Sequence, residues 1–64
     1  MKLYEAIQLL EKGFILKFEQ YEIYLKVVEN KTYLSYSRPY VWVLQNIYLA
    51  ELLQNNLIVV EPSN

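Results

Sequence analysis

Gly13-Phe14-Ile15-Leu16-Lys17-Phe18-Glu19-Gln20-Tyr21-Glu22-Ile23-Tyr24-Leu25-Lys26-Val27-Val28 decides the fold, because the spacing of apolar residues changes here from helical to alternating. Phe14, Leu16 and Phe18 share one face of an extended segment, with Ile15 and Lys17 on the other. Glu19-Gln20 reads as a tight connection. A second strand then runs from Tyr21 to Val28, with Tyr21, Ile23, Leu25 and Val27 on one face and Glu22, Tyr24, Lys26 and Val28 on the other. Glu29-Asn30-Lys31 is a polar turn, in which Asn30 tolerates positive φ best, and Thr32–Tyr36 continues as a third antiparallel strand. The expected result is a three-stranded meander whose second face carries Tyr24, Lys26, Tyr33 and Ser35.

Before Gly13, Leu3, Ala6, Ile7 and Leu10 recur at helical spacing, with Glu5, Gln8, Glu11 and Lys12 away from the stripe; this predicts an amphipathic helix over Leu3–Lys12. Gly13, the only glycine, suits the left-handed residue that closes such a helix. After the meander, Ser37-Arg38-Pro39-Tyr40 reads as a loop. Val41–Leu44 fits a short strand by its β-branched and aromatic content, or the start of a helix from Pro39 to Asn55. The strand is the preferred reading, with Asn46 capping a second short helix over Ile47–Gln54. Leu57–Val60 reads as a short buried strand and Pro62–Asn64 as a tail. The fold class expected is α+β: one domain, an N-terminal helix packed on an antiparallel sheet.

Composition narrows what such a domain does. The 64 residues include no His, Cys or Asp, yet seven Tyr and one Trp. Most groups that transfer protons, form covalent intermediates or bind transition metals near neutral pH are therefore missing. Glu19 and Glu22 stand close together, but nothing beside them suggests a tuned acid and base. Binding without catalysis, cofactor or metal is the expectation. Tyr and Trp suit binding because they offer large, stiff surface at low entropic cost.

Ordering a chain of this length costs on the order of 100 kcal/mol, which its own buried apolar surface barely offsets. Disulfides cannot form without cysteine. With 55% hydrophobic and 16% aromatic residues, the composition points to self-association, most simply a two-fold homo-oligomer. Six basic and seven acidic residues give a net charge of −1. Lys2, Lys12, Lys17, Lys26, Lys31 and Arg38 are scattered, so neither a nucleic-acid backbone nor a membrane is the expected partner. No signal peptide or membrane-spanning run is visible, and the expected compartment is the cytosol.

The stretch Leu3-Tyr4-Glu5-Ala6 through Glu11-Lys12-Gly13, followed by Lys17, Phe18 and Tyr21, resembles the opening of a family of small phage and prophage proteins. That opening reads as an F-x-x-A-L helix, K-x-G, a basic residue and a G-W pair. Glu51-Leu52-Leu53-Gln54-Asn55-Asn56-Leu57-Ile58-Val59-Val60 is similar to the family's acidic-L-L-A-x-D-W-x-V-V ending. The family includes the Thoeris anti-defence sponges. The resemblance implies a viral, host-cytosolic homo-oligomer that sequesters cyclic ADP-ribose-type immune signals. It carries the ligand site to Lys17 and Tyr21, the latter at the family's Trp. Gln20 stands at the family's Gly, Phe18 at its Arg and Leu57 at its late Trp.

From the residues alone, a nucleotide-like ligand needs a stacking ring, a cation for phosphate and hydrogen-bond donors. Arg38, the only Arg, lies beside Tyr36, Tyr40 and Trp42, and is the leading candidate to grip phosphate while a ring stacks on a base. Trp42 by itself reads more readily as core, and Arg38 as solvated or packed over a ring. The same Tyr and Trp residues also suit a different function, a small protein–protein inhibitor that docks on a host protein.

Overall fold

The structure, a computed structural model, describes residues 2–45 and 54–63. Among the described residues, helix α1 (Leu3–Glu11) precedes β1 (Phe14–Phe18), β2 (Tyr24–Val28), β3 (Lys31–Ser35), β4 (Val43–Leu44) and β5 (Leu57–Pro62). The strands form one antiparallel sheet in the order β4-β3-β2-β1-β5. The α+β expectation holds. The expected second helix over 47–54 lies, except for Gln54, outside the described residues.

α1 ends where the sequence says it must. Lys12 and Gly13 donate their amides to the Gln8 and Leu10 carbonyls at 3.1 Å, and Gly13 then turns left-handed at φ 90°. A side chain there would meet only the Ser63 hydroxyl at ordinary contact distance, so backbone conformation rather than space selects glycine. The Gly13 carbonyl in turn accepts the Ser63 amide at 2.7 Å. This ties the helix end to the last strand.

The buried helix residues Ala6 and Leu10 pack on Leu16, Phe18, Leu25, Leu34 and Leu57, with Leu3, Leu9, Phe14, Ile23 and Val27 around them. Alternation accounts for every strand residue in that cluster. Leu16 pairs with Leu25 and Leu25 with Leu34, so one row of leucines crosses the three central strands under α1. Slipping any strand by one residue would turn its row to the opposite face, and burial thereby sets the register.

The meander's boundaries differ from expectation, and β3 ends at Ser35 with Tyr36 in the connection that follows. β2 begins at Tyr24 rather than Tyr21, because the register that buries Leu16 against Leu25 places Phe18 opposite Ile23. The Phe18 amide donates to the Ile23 carbonyl at 3.1 Å, and residues 19–22 become the connection. The next turn is shorter: Val28 pairs with Lys31, leaving Glu29 and Asn30 as a two-residue loop with φ 52° and 64°.

The segment at 41–44 is indeed partly strand, but only Val43 and Leu44 pair, with Leu34 and Tyr33. The expectation of a buried C-terminal strand needs correction. β5 is an edge strand on β1, where only Leu57 is buried while Ile58 and Val59 stay exposed. Pro62 belongs to that strand, opposite Phe14, and not to a tail.

Candidate functional site

The sheet face away from α1 is built around Ser35, which is fully buried. Its Oγ donates to the Ser37 carbonyl at 2.8 Å and accepts the Val41 amide at 2.9 Å and the Ser37 amide at 3.3 Å. One hydroxyl thus pins both ends of the segment 37–41 to the sheet. Within that segment the Arg38–Pro39 peptide is cis, and the Ser37 hydroxyl donates to the Pro39 carbonyl at 3.1 Å.

This anchoring lays Tyr40 over Tyr24, edge to face, with ring centroids 5.1 Å apart. Trp42 stacks on Tyr40 at 4.9 Å. Two cations cover the rings: Lys26 Nζ lies 4.6 Å from the Trp42 centroid and 5.9 Å from that of Tyr33, while the Arg38 guanidinium lies 5.6 Å from Tyr40. Glu61 closes the cluster from β5. Its Oε2 accepts from Arg38 Nη2 at 3.1 Å, and its Oε1 accepts the Tyr40 hydroxyl at 2.8 Å. Tyr24 donates its hydroxyl to Glu22.

The electrostatics follow from these contacts. The Glu22 carboxylate beside its hydroxyl, with burial adding to it, raises Tyr24 above its usual pKa. Burial first and the hydrogen bond to Glu61 second do the same for Tyr40. A carboxylate that accepts a phenolic proton stabilises the neutral phenol. Both tyrosines are therefore hydrogen-bond donors at neutral pH, and each Glu61 oxygen already has a partner. The arrangement holds rings and balanced charges in place.

Of the residues singled out from sequence, the structure brings together Arg38, Tyr40 and Trp42. Tyr36 lies in the same connection but projects outward, 60% exposed. Lys17 is on this face as well, opposite Tyr24 in the β1–β2 pairing, with Nζ donating to the Phe18 carbonyl at 2.9 Å. Tyr21 is elsewhere. It sits in the β1–β2 connection and lines an open concavity of about 410 Å³ with Phe18, Gln20, Ile23, Gln54 and Asn55. Lys17 and Tyr21, paired in the sequence reading, belong to two different surfaces.

Trp42 is neither core nor a free platform, since a tyrosine and a lysine already occupy it. Sequence reasoning missed Glu61, the acceptor that organises the cluster, and Ser35 as its anchor. Parity places Ser35 opposite Tyr24 once the meander is read, but the approach of Glu61 depends on β5 returning to β1, which no local pattern signals.

Among the described residues no group of three or more acidic, His or Cys side chains is placed to hold a metal ion. No described helix is long and apolar enough to cross a membrane. Comparison with protein-family models, with curated proteins and with solved structures returned no match.

Proposed function

We propose that this protein is a non-enzymatic binding protein that sequesters a small nucleotide-type signal, and that the concavity at the β1–β2 connection seats the base. The observation that carries the reading is the lining of that hollow: the Tyr21 ring, 53% exposed, beside the amides of Gln20, Gln54 and Asn55 over an apolar floor of Phe18 and Ile23. A ring for stacking and amides that both donate and accept hydrogen bonds are what a heterocyclic base requires. The volume of about 410 Å³ falls within the range of small-molecule sites. Arg38, by contrast, already pairs with Glu61, so the Arg38–Tyr40–Trp42 cluster acts as a brace beneath the 36–42 connection.

Titration calorimetry with cyclic ADP-ribose isomers tests this. Because stacking a base on an aromatic side chain is worth about 1–3 kcal/mol, Tyr21→Ala should weaken binding by about 5- to 150-fold. Ligand recovered from heat-denatured complex should be chemically unchanged. No heat and no thermal shift with any isomer would remove the nucleotide reading, and equal affinity in Tyr21→Ala would remove the concavity as its seat.

A further inference from the structure

β5 ends the sheet, and the hydrogen bonds around it fix which of its backbone groups are unused among the described residues. The Glu19 amide donates to the Asn56 carbonyl at 2.8 Å, while Phe18 stands opposite Leu57, Lys17 opposite Ile58 and Leu16 opposite Val59. Opposed residues in an antiparallel pair alternate between exchanging both backbone bonds and exchanging none. Asn56 and Ile58 therefore point their backbone at β1. Leu57 and Val59 turn their N–H and C=O groups to the free edge.

Beyond the register shift between Ile15 and Leu16 the pattern resumes: Ser63 donates to Gly13, Glu61 stands opposite Ile15, and Pro62 faces outward. A proline at that position has no N–H to leave unpaired. Sheet edges are ordinarily blunted by charge, proline, bulges or brevity. Here the bulge and Pro62 guard only the C-terminal end of the strand, while Leu57-Ile58-Val59-Val60 carries no charge. The opposite edge differs, because β4 is only two residues long.

We propose that β5 pairs antiparallel with β5 of a second copy of this chain about a two-fold axis at Ile58. In that register Leu57 lies opposite Val59 of the second copy and Val59 opposite its Leu57, and each facing pair exchanges both backbone bonds. All the outward groups of Leu57 and Val59 are then satisfied. Ile58, 42% exposed on the face that carries the aromatic cluster, meets its own counterpart at the axis, where side chains of a non-bonded pair come closest. On the helix side, Val59, 47% exposed, is covered beside Leu57 of the second copy.

Charge agrees with this occupant. Glu61 falls opposite Asn55 of the second copy rather than opposite another Glu61, and its own charge is met by Arg38 within the chain. A two-fold pairing also uses the same short template twice and leaves no new edge, which an added peptide strand would. The sheet becomes continuous through both copies. The pairing does not depend on what the Tyr21 concavity binds.

The test exploits the absence of cysteine. In Ile58→Cys the two sulfurs straddle the axis, and a Cα separation of about 4.5 Å for a non-bonded pair lies within disulfide range. Mild oxidation should convert this variant to covalent dimer, at least about tenfold faster than Val28→Cys, an exposed site at the end of β2. Sedimentation equilibrium of the unmodified chain should give the dimer mass. Ile58→Lys sets two ammonium groups directly opposite each other and removes apolar contact, and should weaken association about tenfold or more while retaining the native circular dichroism spectrum. Val59→Pro, which deletes an edge-facing N–H, should do the same.

A monomer mass at about 100 μM, far above the dissociation constant of an ordinary stable dimer, overturns the proposal. Equal oxidation rates for the two cysteine variants, or undiminished association in a folded Ile58→Lys chain, do so as well.

Discussion

Glu61→Ala asks whether the aromatic cluster is held together from β5. Arg38 and Glu61 are 52% and 39% exposed in their side chains, so the ion pair is well solvated and worth about 0.2–1 kcal/mol. The Tyr40 hydroxyl is half-buried, and its 2.8 Å bond to a charged acceptor contributes about 1.5 kcal/mol, the low end for such bonds because Glu61 still sees water. Alanine removes both, for a loss of about 2 kcal/mol. Glu61→Gln keeps an acceptor for Tyr40 and loses only the charge, so its cost should be about 1 kcal/mol.

For a domain of this size the alanine variant should melt about 8–16 °C lower. Urea denaturation followed by fluorescence of Trp42, the only tryptophan, reads the transition from inside the cluster. Adding Tyr40→Phe to Glu61→Ala should cost little more, since the bond is already gone. If Glu61→Ala matched the parent within about 0.5 kcal/mol, the brace would be decoration and Arg38 would again be available to a ligand.

Leu25→Ala removes the middle of the leucine row, a side chain with no exposure and cross-strand partners on both sides; a loss of about 2–5 kcal/mol should leave much of the chain unfolded at 25 °C by circular dichroism. Gly13→Ala meets no steric wall, so the penalty is the left-handed backbone alone, about 1–2 kcal/mol in chemical denaturation. Tyr24 and Tyr40 hold their protons above the usual 10.0, so the folded chain binds more protons than the unfolded one once pH exceeds that value. Their contribution to stability is complete below about pH 10 and is lost as pH rises through the raised values; Tyr40→Phe should flatten the alkaline fall in Tm.

Local pattern was enough for α1, its glycine stop and the meander, because each rests on a periodicity or turn residue contained in a short window. Alternation alone groups Phe14, Leu16 and Phe18, and Ile23, Leu25 and Val27, on the face that packs under α1. The exposure of Ile58 and Val59 was not legible. An apolar run looks the same at an edge as in a centre, and only strand order distinguishes them. The site was half legible for a related reason. Arg38, Tyr40 and Trp42 are neighbours in sequence and meet in space, whereas Glu61 reaches them through pairing between distant segments. The family resemblance points to Tyr21, but the strand expected there conceals that it lies on a connection beside Gln54 and Asn55.

The placement of β1 between β2 and β5 has a consequence for the order of assembly. Before Leu57–Pro62 docks, a sheet made of the meander alone has β1 at a bare margin. The closing contacts join segments far apart in the chain and bear the entropy of a long loop, which makes them the slow step. Until they form, the Phe14–Phe18 margin is open to any neighbouring strand, so mispairing should grow with concentration during refolding.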